Sequence, residues 1–185
     1  LKAVINHAKS KNLYVYLDGA RLALALASEA FNIPMDEMGD LGIDMLYVGG
    51  TKVGGMFGEA VIIMNDDLKE EFRSHMKQRG ALHAKGRFLG QQFARFFDED
   101  GLWLSLAERS NKMARRLYDG LRAQSVEFDL EPAANQLFPT LPTSVVESLS
   151  ELYGFHRWQA VGTDKTKIRL VCSWATPDEK VDEFL

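Results

Sequence analysis

Two short segments place polar, reactive side chains directly after apolar runs. The run Met45–Val48 leads through two glycines to Thr51 and Lys52, and the run Tyr14–Leu17 leads to Asp18. Apolar runs that end at glycines predict short buried strands followed by tight loops. Because ligands of open α/β sheets bind at the carboxyl ends of strands, we expect Lys52 and Asp18 to face a ligand.

Lys52 stands out because most lysines are exposed and solvated. The glycines and apolar residues around it predict partial burial, and burial favours the uncharged, nucleophilic amine. Such an amine forms Schiff bases with carbonyl compounds, including pyridoxal phosphate. A pyridoxal phosphate site also pairs the pyridine nitrogen with an acidic or basic residue, a role that suits Asp18. The alternative for Asp18 is a turn residue, since Asp-Gly pairs often mark turns.

The two segments resemble one family of enzymes in their spacing. L-D-G-A-R at Leu17–Arg21 followed by G-G-T-K-x-G-G at Gly49–Gly55 resembles the threonine aldolase and β-eliminating lyase family of fold-type-I pyridoxal phosphate enzymes. Two later segments, Ala134–Phe138 and Ile168–Val171, extend the resemblance over nearly the whole chain.

The resemblance implies a set of cofactor-binding residues. Lys52 would be the catalytic residue that carries the cofactor, and Asp18 would keep a proton on the pyridine nitrogen. The hydroxyl of Thr51 would donate to the phosphate, or it simply closes the turn. Lys85 is the nearest match to a basic family residue that reaches the phosphate of a neighbouring subunit. Its segment, Arg79–Arg87, departs from the glycine-rich family pattern, and a solvated loop is the alternative.

Two arginines are implied for cofactor and substrate binding. Arg21 begins a helix, where a positive charge opposes the helix dipole, and the matching family residue lies near the cofactor and the substrate carboxylate. Arg169 interrupts the apolar run Ile168–Val171, and the resemblance makes it the clamp for the α-carboxylate, a pairing that suits a guanidinium. The alternative for both is a surface arginine, because alternation along a strand can point one side chain to solvent.

Composition and charge exclude several other classes of protein. The 185 residues are 46% hydrophobic and 26% charged, which is ordinary for a globular chain. The net charge is -4 with scattered basic residues, so no nucleic-acid partner is expected. No apolar run approaches the ~18 residues of a membrane span. The single cysteine, Cys172, excludes an internal disulfide and favours a reducing, cytoplasmic location, and the histidines lack metal-ligand spacing.

The order of patterns predicts an α/β fold with two domains. Strands alternate with helices over residues 1–100, which predicts a mainly parallel sheet flanked by helices, the large cofactor-binding domain. A helix at 101–124 would link it to a smaller α+β domain at 125–185. The helix Leu22–Ala30 should end at Asn32-Ile33-Pro34. The chain opens at Leu1 inside a helical pattern, so we expect the C-terminal portion of a longer polypeptide.

These expectations lead to a specific enzyme class. The resemblance implies a pyridoxal-phosphate-dependent lyase that cleaves the Cα–Cβ bond of β-hydroxy-α-amino acids, as in the conversion of L-threonine to glycine and acetaldehyde. It also implies a homodimer or homotetramer. Alternatives are another fold-type-I enzyme (a β-eliminating lyase or an aminotransferase), a non-catalytic remnant, and a nucleotide-binding α/β module. The last is disfavoured because no glycine-rich nucleotide-binding pattern is present.

Overall fold

A computed structural model describes residues 1–31 and 33–185, which form two compact units. The first unit comprises Leu1–Leu26 and Phe31–Ser105, and the second comprises Ala27–Ala30 and Leu106–Leu185. Asn32, part of the expected end of the second helix, lies outside the described residues. In the described part of the chain, no helix is long and apolar enough to cross a membrane.

The first unit is built on a three-stranded sheet. The strands are β1 (Tyr16–Leu17), β2 (Met45–Gly49) and β3 (Glu59–Ile63), and β2 pairs in parallel with β1 and antiparallel with β3. The expected α/β class is confirmed, and among the described residues this sheet is mixed, with one parallel and one antiparallel pair. The physical reason is the connection 50–58, which is too short for the crossover that a parallel pair requires.

Among the described residues, four α-helices belong to this unit, and a fifth begins in it. They are α1 (Lys2–Ser10), α2 (Leu22–Leu26), α3 (Phe72–Gln78) and α4 (Arg87–Phe96), followed by α5 (Leu102–Ala123). Helix α2 is shorter than the pattern predicted, because residues 27–30 leave the helix and join the second unit.

One buried carboxylate, Asp44, ties the elements of the first unit together. It is 5% exposed and accepts hydrogen bonds from the Val15 amide (2.6 Å), the Asn65 side chain (2.8 Å) and the Lys9 ammonium. The bond from Lys9, followed by those from Val15 and Asn65, outweighs the effect of burial and lowers the pKa of Asp44 to about 2. Asp44 is therefore an anion that joins α1 to the amino end of β2 and to the loop after β3.

The second unit packs helices against an antiparallel sheet. Its strands are β4 (Glu127–Phe128), β5 (Gln136–Leu137), β6 (Pro139–Pro142), β7 (His156–Val161) and β8 (Lys165–Val171). Strand β8 is central and pairs with β5, β6 and β7. Its helices are most of α5, then α6 (Thr143–Ser150) and α7 (Asp178–Phe184). One face of the sheet and the apolar stripe of α5 form a core that includes Met113, Ala114, Leu117, Leu121, Ile168, Leu170 and Cys172.

Candidate functional site

The loop after β2 forms a tight turn that carries Lys52. The Gly50 carbonyl accepts hydrogen bonds from the Val53 amide (3.1 Å) and the Gly55 amide (2.9 Å). A Cβ atom at Gly55 would lie 2.8 Å from the carbonyl carbon of Gly50, so only glycine fits there. Gly54 has φ +95°, a conformation that glycine adopts at little cost. The backbone around Lys52 is therefore fixed by its own turn.

Aromatic side chains hold this turn against the rest of the first unit. Trp103 donates its indole hydrogen to the Gly49 carbonyl over 2.9 Å in a buried position. The rings of Phe93 and Phe96 come within 3.3 Å and 3.2 Å of the Cβ position of Gly50. Glu59 accepts a hydrogen bond from the Gly50 amide (3.1 Å). Helices α4 and α5 and strand β3 thus all brace the loop.

The side chain of Lys52 is exposed, so the expected partial burial is wrong. The apolar neighbour Val53 is the buried residue of the turn, at 1% exposure, while Thr51 and Lys52 point outward. Among the described residues, neither side chain has a hydrogen bond or ion pair. A rigid turn therefore presents a hydroxyl and an amine to solvent, where both are accessible to a ligand.

Asp18, directly after β1, is held by two hydrogen-bond donors. The parallel register pairs Leu17 with Leu46, so the next step of the register brings Asp18 beside Tyr47. The Tyr47 hydroxyl and the Ala20 amide (3.1 Å) both donate to Oδ1 of Asp18. In the described part of the chain Oδ2 accepts no hydrogen bond. One carboxylate oxygen is therefore anchored, and the other is left for an outside donor.

The electrostatic effect of this arrangement is to keep Asp18 ionised. The hydrogen bond from Tyr47, then that from Ala20 and the nearby charge of Arg21, lower the pKa of Asp18. The same bond to Asp18 is the main reason why the pKa of Tyr47 rises to about 12. A fixed anion with one free oxygen can hold a proton on a neighbouring ring nitrogen.

The segments that carry Asp18 and Lys52 are in direct contact. The Gly49 amide donates to the Gly19 carbonyl (3.1 Å). A Cβ atom at Gly19 would lie only 1.7 Å from the Tyr47 carbonyl oxygen, and one at Gly49 would lie 2.8 Å from the Gly19 oxygen. Only glycine allows backbones to approach this closely. The fold thus brings both loops together at the carboxyl ends of β1 and β2, and their roles toward a ligand stay predictions.

Arg21 and Lys85, the other expected site residues of the first unit, differ in their surroundings. Arg21 directly precedes α2 and is half-buried, and its Nε atom is buried without a hydrogen-bond partner among the described residues. Leaving a buried donor unpaired costs about 1–3 kcal/mol, so an external acceptor would stabilise this position. Lys85 lies in an exposed turn before α4. No hydrogen bond or ion pair joins it to Asp18 or Lys52 across residues 1–31 and 33–185.

Arg169 belongs to strand β8 of the second unit. Alternation along β8 sends Thr166, Ile168 and Leu170 into the core and leaves Arg169 on the opposite face. Its Nε atom is buried without a hydrogen-bond partner within the described residues, and its guanidinium carbon lies 5.7 Å from the centre of the Trp158 ring. Like Arg21, Arg169 has a buried Nε atom that finds no hydrogen-bond acceptor among the described residues.

Sequence reasoning missed two residues of these arrangements, Tyr47 and Trp158. Tyr47 was read only as part of a buried strand, although its position one step beyond the pair of Leu17 with Leu46 places it beside Asp18. The clue in the sequence was a polar hydroxyl two residues before the glycines of a strand end. No feature of the sequence indicated Trp158, because its contact with Arg169 depends on the pairing of β7 with β8.

Several known proteins are similar to this chain. Residues 1–141 match the model of the beta-eliminating lyase family. The whole chain is 34% identical to a low-specificity L-threonine aldolase from Pseudomonas aeruginosa and covers 52% of that enzyme. A threonine aldolase structure from Leishmania major has a TM-score of 0.92 and 40% identity over 98% of this chain and 52% of its own. A serine palmitoyltransferase from Sphingomonas wittichii shares the fold alone, with a TM-score of 0.67 and 15% identity over 100% of this chain and 48% of its own.

The chain spans about half the length of the relatives it matches, with 52% of the Pseudomonas enzyme covered. These matches do not confirm the expectation that this half is the C-terminal portion. The family model covers both glycine-rich segments, with Asp18 and Lys52, and the structure shows the α/β architecture of the fold-type-I enzymes. The chain therefore belongs to the beta-eliminating lyase family.

Proposed function

We propose that the protein is a pyridoxal-phosphate-dependent aldehyde-lyase that cleaves the Cα–Cβ bond of β-hydroxy-α-amino acids. L-threonine would be cleaved to glycine and acetaldehyde. The observation that carries the proposal is the anchored anion of Asp18, on a loop in backbone contact with the turn of Lys52. Identity of 34% and 40% with threonine aldolases, over 100% and 98% of the chain, supports the choice of reaction.

The side chains of the first unit fit this cofactor. A pyridine nitrogen keeps its proton beside an anion, and Asp18 is ionised with Oδ2 free. An aldehyde needs an accessible amine, which Lys52 offers from a fixed turn. A phosphate needs donors, and the exposed hydroxyl of Thr51 could supply one. The amides of Gly50, Val53 and Gly55 already donate hydrogen bonds within the fold, so these three do not serve a phosphate.

The residues of this chain would divide the work as follows. When bound, pyridoxal phosphate supplies the electron sink for the pair of electrons released at Cα. Asp18 would hold the proton on the ring nitrogen, and Lys52 would bind the cofactor covalently through its amine. Arg169, with an unpaired buried Nε, would bind the carboxylate of the amino acid, and Arg21, also with an unpaired buried Nε, would bind the cofactor. A guanidinium binds a carboxylate through two parallel hydrogen bonds, which fixes the orientation of the bond to be cleaved.

We also propose a homodimer or homotetramer, in which Lys85 would reach the phosphate bound to a neighbouring subunit. An exposed apolar patch in the same region supports this idea. Met56 is 71% exposed, Phe57 is 50% exposed, and the ring of Phe57 contacts that of Phe88 at 6.1 Å. A cytoplasmic location remains part of the proposal, supported by a free, buried Cys172.

The reaction type is tested by product analysis of the full-length protein with pyridoxal phosphate. Incubation with L-threonine should give acetaldehyde and glycine in equal amounts, and Lys52→Ala should give neither. The description of the family as beta-eliminating lyases makes β-elimination the second candidate. Release of ammonia and a 2-oxo acid from L-threonine or L-serine, without acetaldehyde, would replace the aldolase reaction with that one.

A further inference from the structure

The outer face of β8 carries three basic residues, and only one of them lacks an acidic partner in the described structure. Lys165 pairs with Glu127 at 2.8 Å, and Lys167 pairs with Asp129. Arg169, the next residue on this face, has no ion pair and no hydrogen bond within the described residues, and its Nε atom is buried. The fold therefore neutralises the charges of Lys165 and Lys167 and leaves the charge of Arg169 available to an acidic ligand.

The close neighbour of the Arg169 guanidinium is an aromatic ring. Its central carbon lies 5.7 Å from the centre of the Trp158 ring, within the range of a cation–π interaction. Such a contact uses the positive charge of the guanidinium and does not require its N–H donors. Trp158 can therefore hold Arg169 in place without using the donors that would bind a carboxylate.

Trp158 lies in a β-bulge of strand β7. In the pairing of β7 with β8, His156 lies opposite Arg169, and the register shifts between Arg157 and Gln159. Trp158 is the extra residue in this shift and has no partner on β8. Bulges redirect a side chain and are frequent beside active sites. The irregularity thus explains how a residue of β7 reaches the guanidinium of Arg169.

Two further rings fix the tryptophan. Phe138, between β5 and β6, meets Trp158 edge to face at 5.1 Å, with an interplanar angle of 72°. His156 meets it at 5.9 Å and 78°. Edge-to-face pairs are a favoured arrangement of aromatic side chains. The two ring contacts thus limit the rotation of Trp158, although its side chain is half exposed.

We infer that Trp158 is a positioning residue, which holds the guanidinium of Arg169 in the orientation that binds the α-carboxylate of an amino acid. The identity of the ligand rests on the proposed function. The positioning itself rests on the ring contact, the bulge and the unpaired Nε. Phe138 and His156 contribute indirectly, because they hold the ring of Trp158.

Kinetics of the full-length protein with pyridoxal phosphate test this role. Trp158→Ala should raise the KM for L-threonine about tenfold, the loss expected for one cation–π contact, while kcat changes less than about twofold, since uniform binding is lost. Trp158→Phe, which keeps an aromatic face, should restore most of the affinity. Trp174→Ala is the matched control, because Trp174 is another partly exposed tryptophan of this unit without a ring contact to Arg169 in the described structure. A fall in kcat without a rise in KM, or equal effects at Trp158 and Trp174, would contradict the inference.

Nuclear magnetic resonance of the arginine Nε–H groups gives a second test that does not need activity. The Arg169 resonance, assigned by its loss in Arg169→Lys, should show a ring-current shift that disappears in Trp158→Ala and partly remains in Trp158→Phe. Added glycine should move this resonance in the wild-type protein and in Trp174→Ala. If threonine is not cleaved but the ring-current shift depends on Trp158, the proposed function fails and the positioning stands. If threonine is cleaved but the Arg169 resonance does not change in Trp158→Ala, the positioning role of Trp158 is contradicted and the proposed function stands.

Discussion

Asp18 and Asp44 are two carboxylates at opposite ends of the same parallel strand pair, and the fold uses them differently. Asp44 precedes β2, is buried, and has both oxygens bonded to α1, the Val15 amide and Asn65. Asp18 follows β1, is exposed, and is bonded through Oδ1 alone. A carboxylate whose acceptors are all filled from neighbouring elements stabilises the fold. One with a free oxygen is available to a ligand.

The arginines of the second unit repeat this contrast. Arg116 donates to Asp178 (2.8 Å) and Asp182 (2.5 Å), and Arg109 also reaches Asp178 (2.5 Å). These guanidinium groups join α5 to α7. Arg169 instead keeps a buried Nε without a partner in the described structure. Unfilled hydrogen-bonding capacity, and not the residue type, separates the candidate binding residues from the structural ones.

The largest expected effect is the loss of activity in Asp18→Asn. The amide keeps the shape of the side chain but removes the anion from the ring nitrogen. Loss of one such electrostatic group costs about 10²–10³-fold in rate, and we expect that loss in kcat/KM for L-threonine. Because Asp18 is exposed, the unfolding free energy of the variant should stay close to that of the wild type, as for most surface substitutions. Activity within a factor of two of the wild type would remove Asp18 from the site.

Asp44→Asn should show the opposite pattern. Removing the charge leaves Lys9, which is 38% exposed, without its partner. It also disturbs two further hydrogen bonds at a buried position, and such a disturbance costs about 1–3 kcal/mol. Chemical denaturation should detect this loss. The folded fraction, measured by its cofactor content, should keep its kcat. A stable Asp44→Asn protein with impaired catalysis would reverse the comparison between the two carboxylates.

The pH dependence of stability should report Asp44 as well. Its pKa in the fold is about 2, below the ordinary value of 3.8, so the folded state binds the proton less readily than the unfolded state. The resulting stabilisation, on the order of 2 kcal/mol, is fully present above about pH 5 and is lost as the pH falls toward 2. Denaturation curves at pH 6 and pH 3 measure it. The difference between these curves should shrink in Asp44→Asn, and it should shrink less in Asp18→Asn, whose exposed carboxyl also has a lowered pKa.

The smallest expected effect belongs to Tyr47→Phe. The substitution removes one hydrogen bond from Asp18, and exposure to solvent limits the contribution of that bond. We expect the affinity for pyridoxal phosphate, measured by fluorescence quenching, to fall about tenfold. Tyr16→Phe is the control, since the Tyr16 ring contacts Tyr47 at 6.1 Å but its hydroxyl does not bond Asp18. Equal losses in both variants would show that ring packing, and not the bond to Asp18, matters.

Much of the fold could be predicted because its signals are local. The apolar run before two glycines predicted β2, and the sequence pattern predicted a helix at 101–124, which the structure shows at Leu102–Ala123. Strand β7 was missed because five of its six residues are exposed and a bulge interrupts its pairing, so no apolar alternation marks it. The direction of β3 depends on the length of one loop, which the strand pattern does not reveal.

The candidate site was predictable only in part, because some of its features depend on contacts between residues that are distant in the sequence. The glycines around Lys52 are local signals, and they correctly indicated close backbone contacts. The exposure of Lys52 was not predicted, because the apolar character of the segment is carried by Val48 and Val53, which are the buried residues. The hydrogen bond from Tyr47 to Asp18 joins residues on different strands, so the sequence alone does not show it.

Covalent mapping of the cofactor would show whether Lys52 carries it. The full-length protein is loaded with pyridoxal phosphate and reduced with borohydride, and the modified peptide is identified by mass spectrometry. We expect a single pyridoxyl group on Lys52, absent after Lys52→Arg and reduced in occupancy after Asp18→Asn. A label on another lysine, or a full-length protein that takes up no label, would contradict the site proposed here.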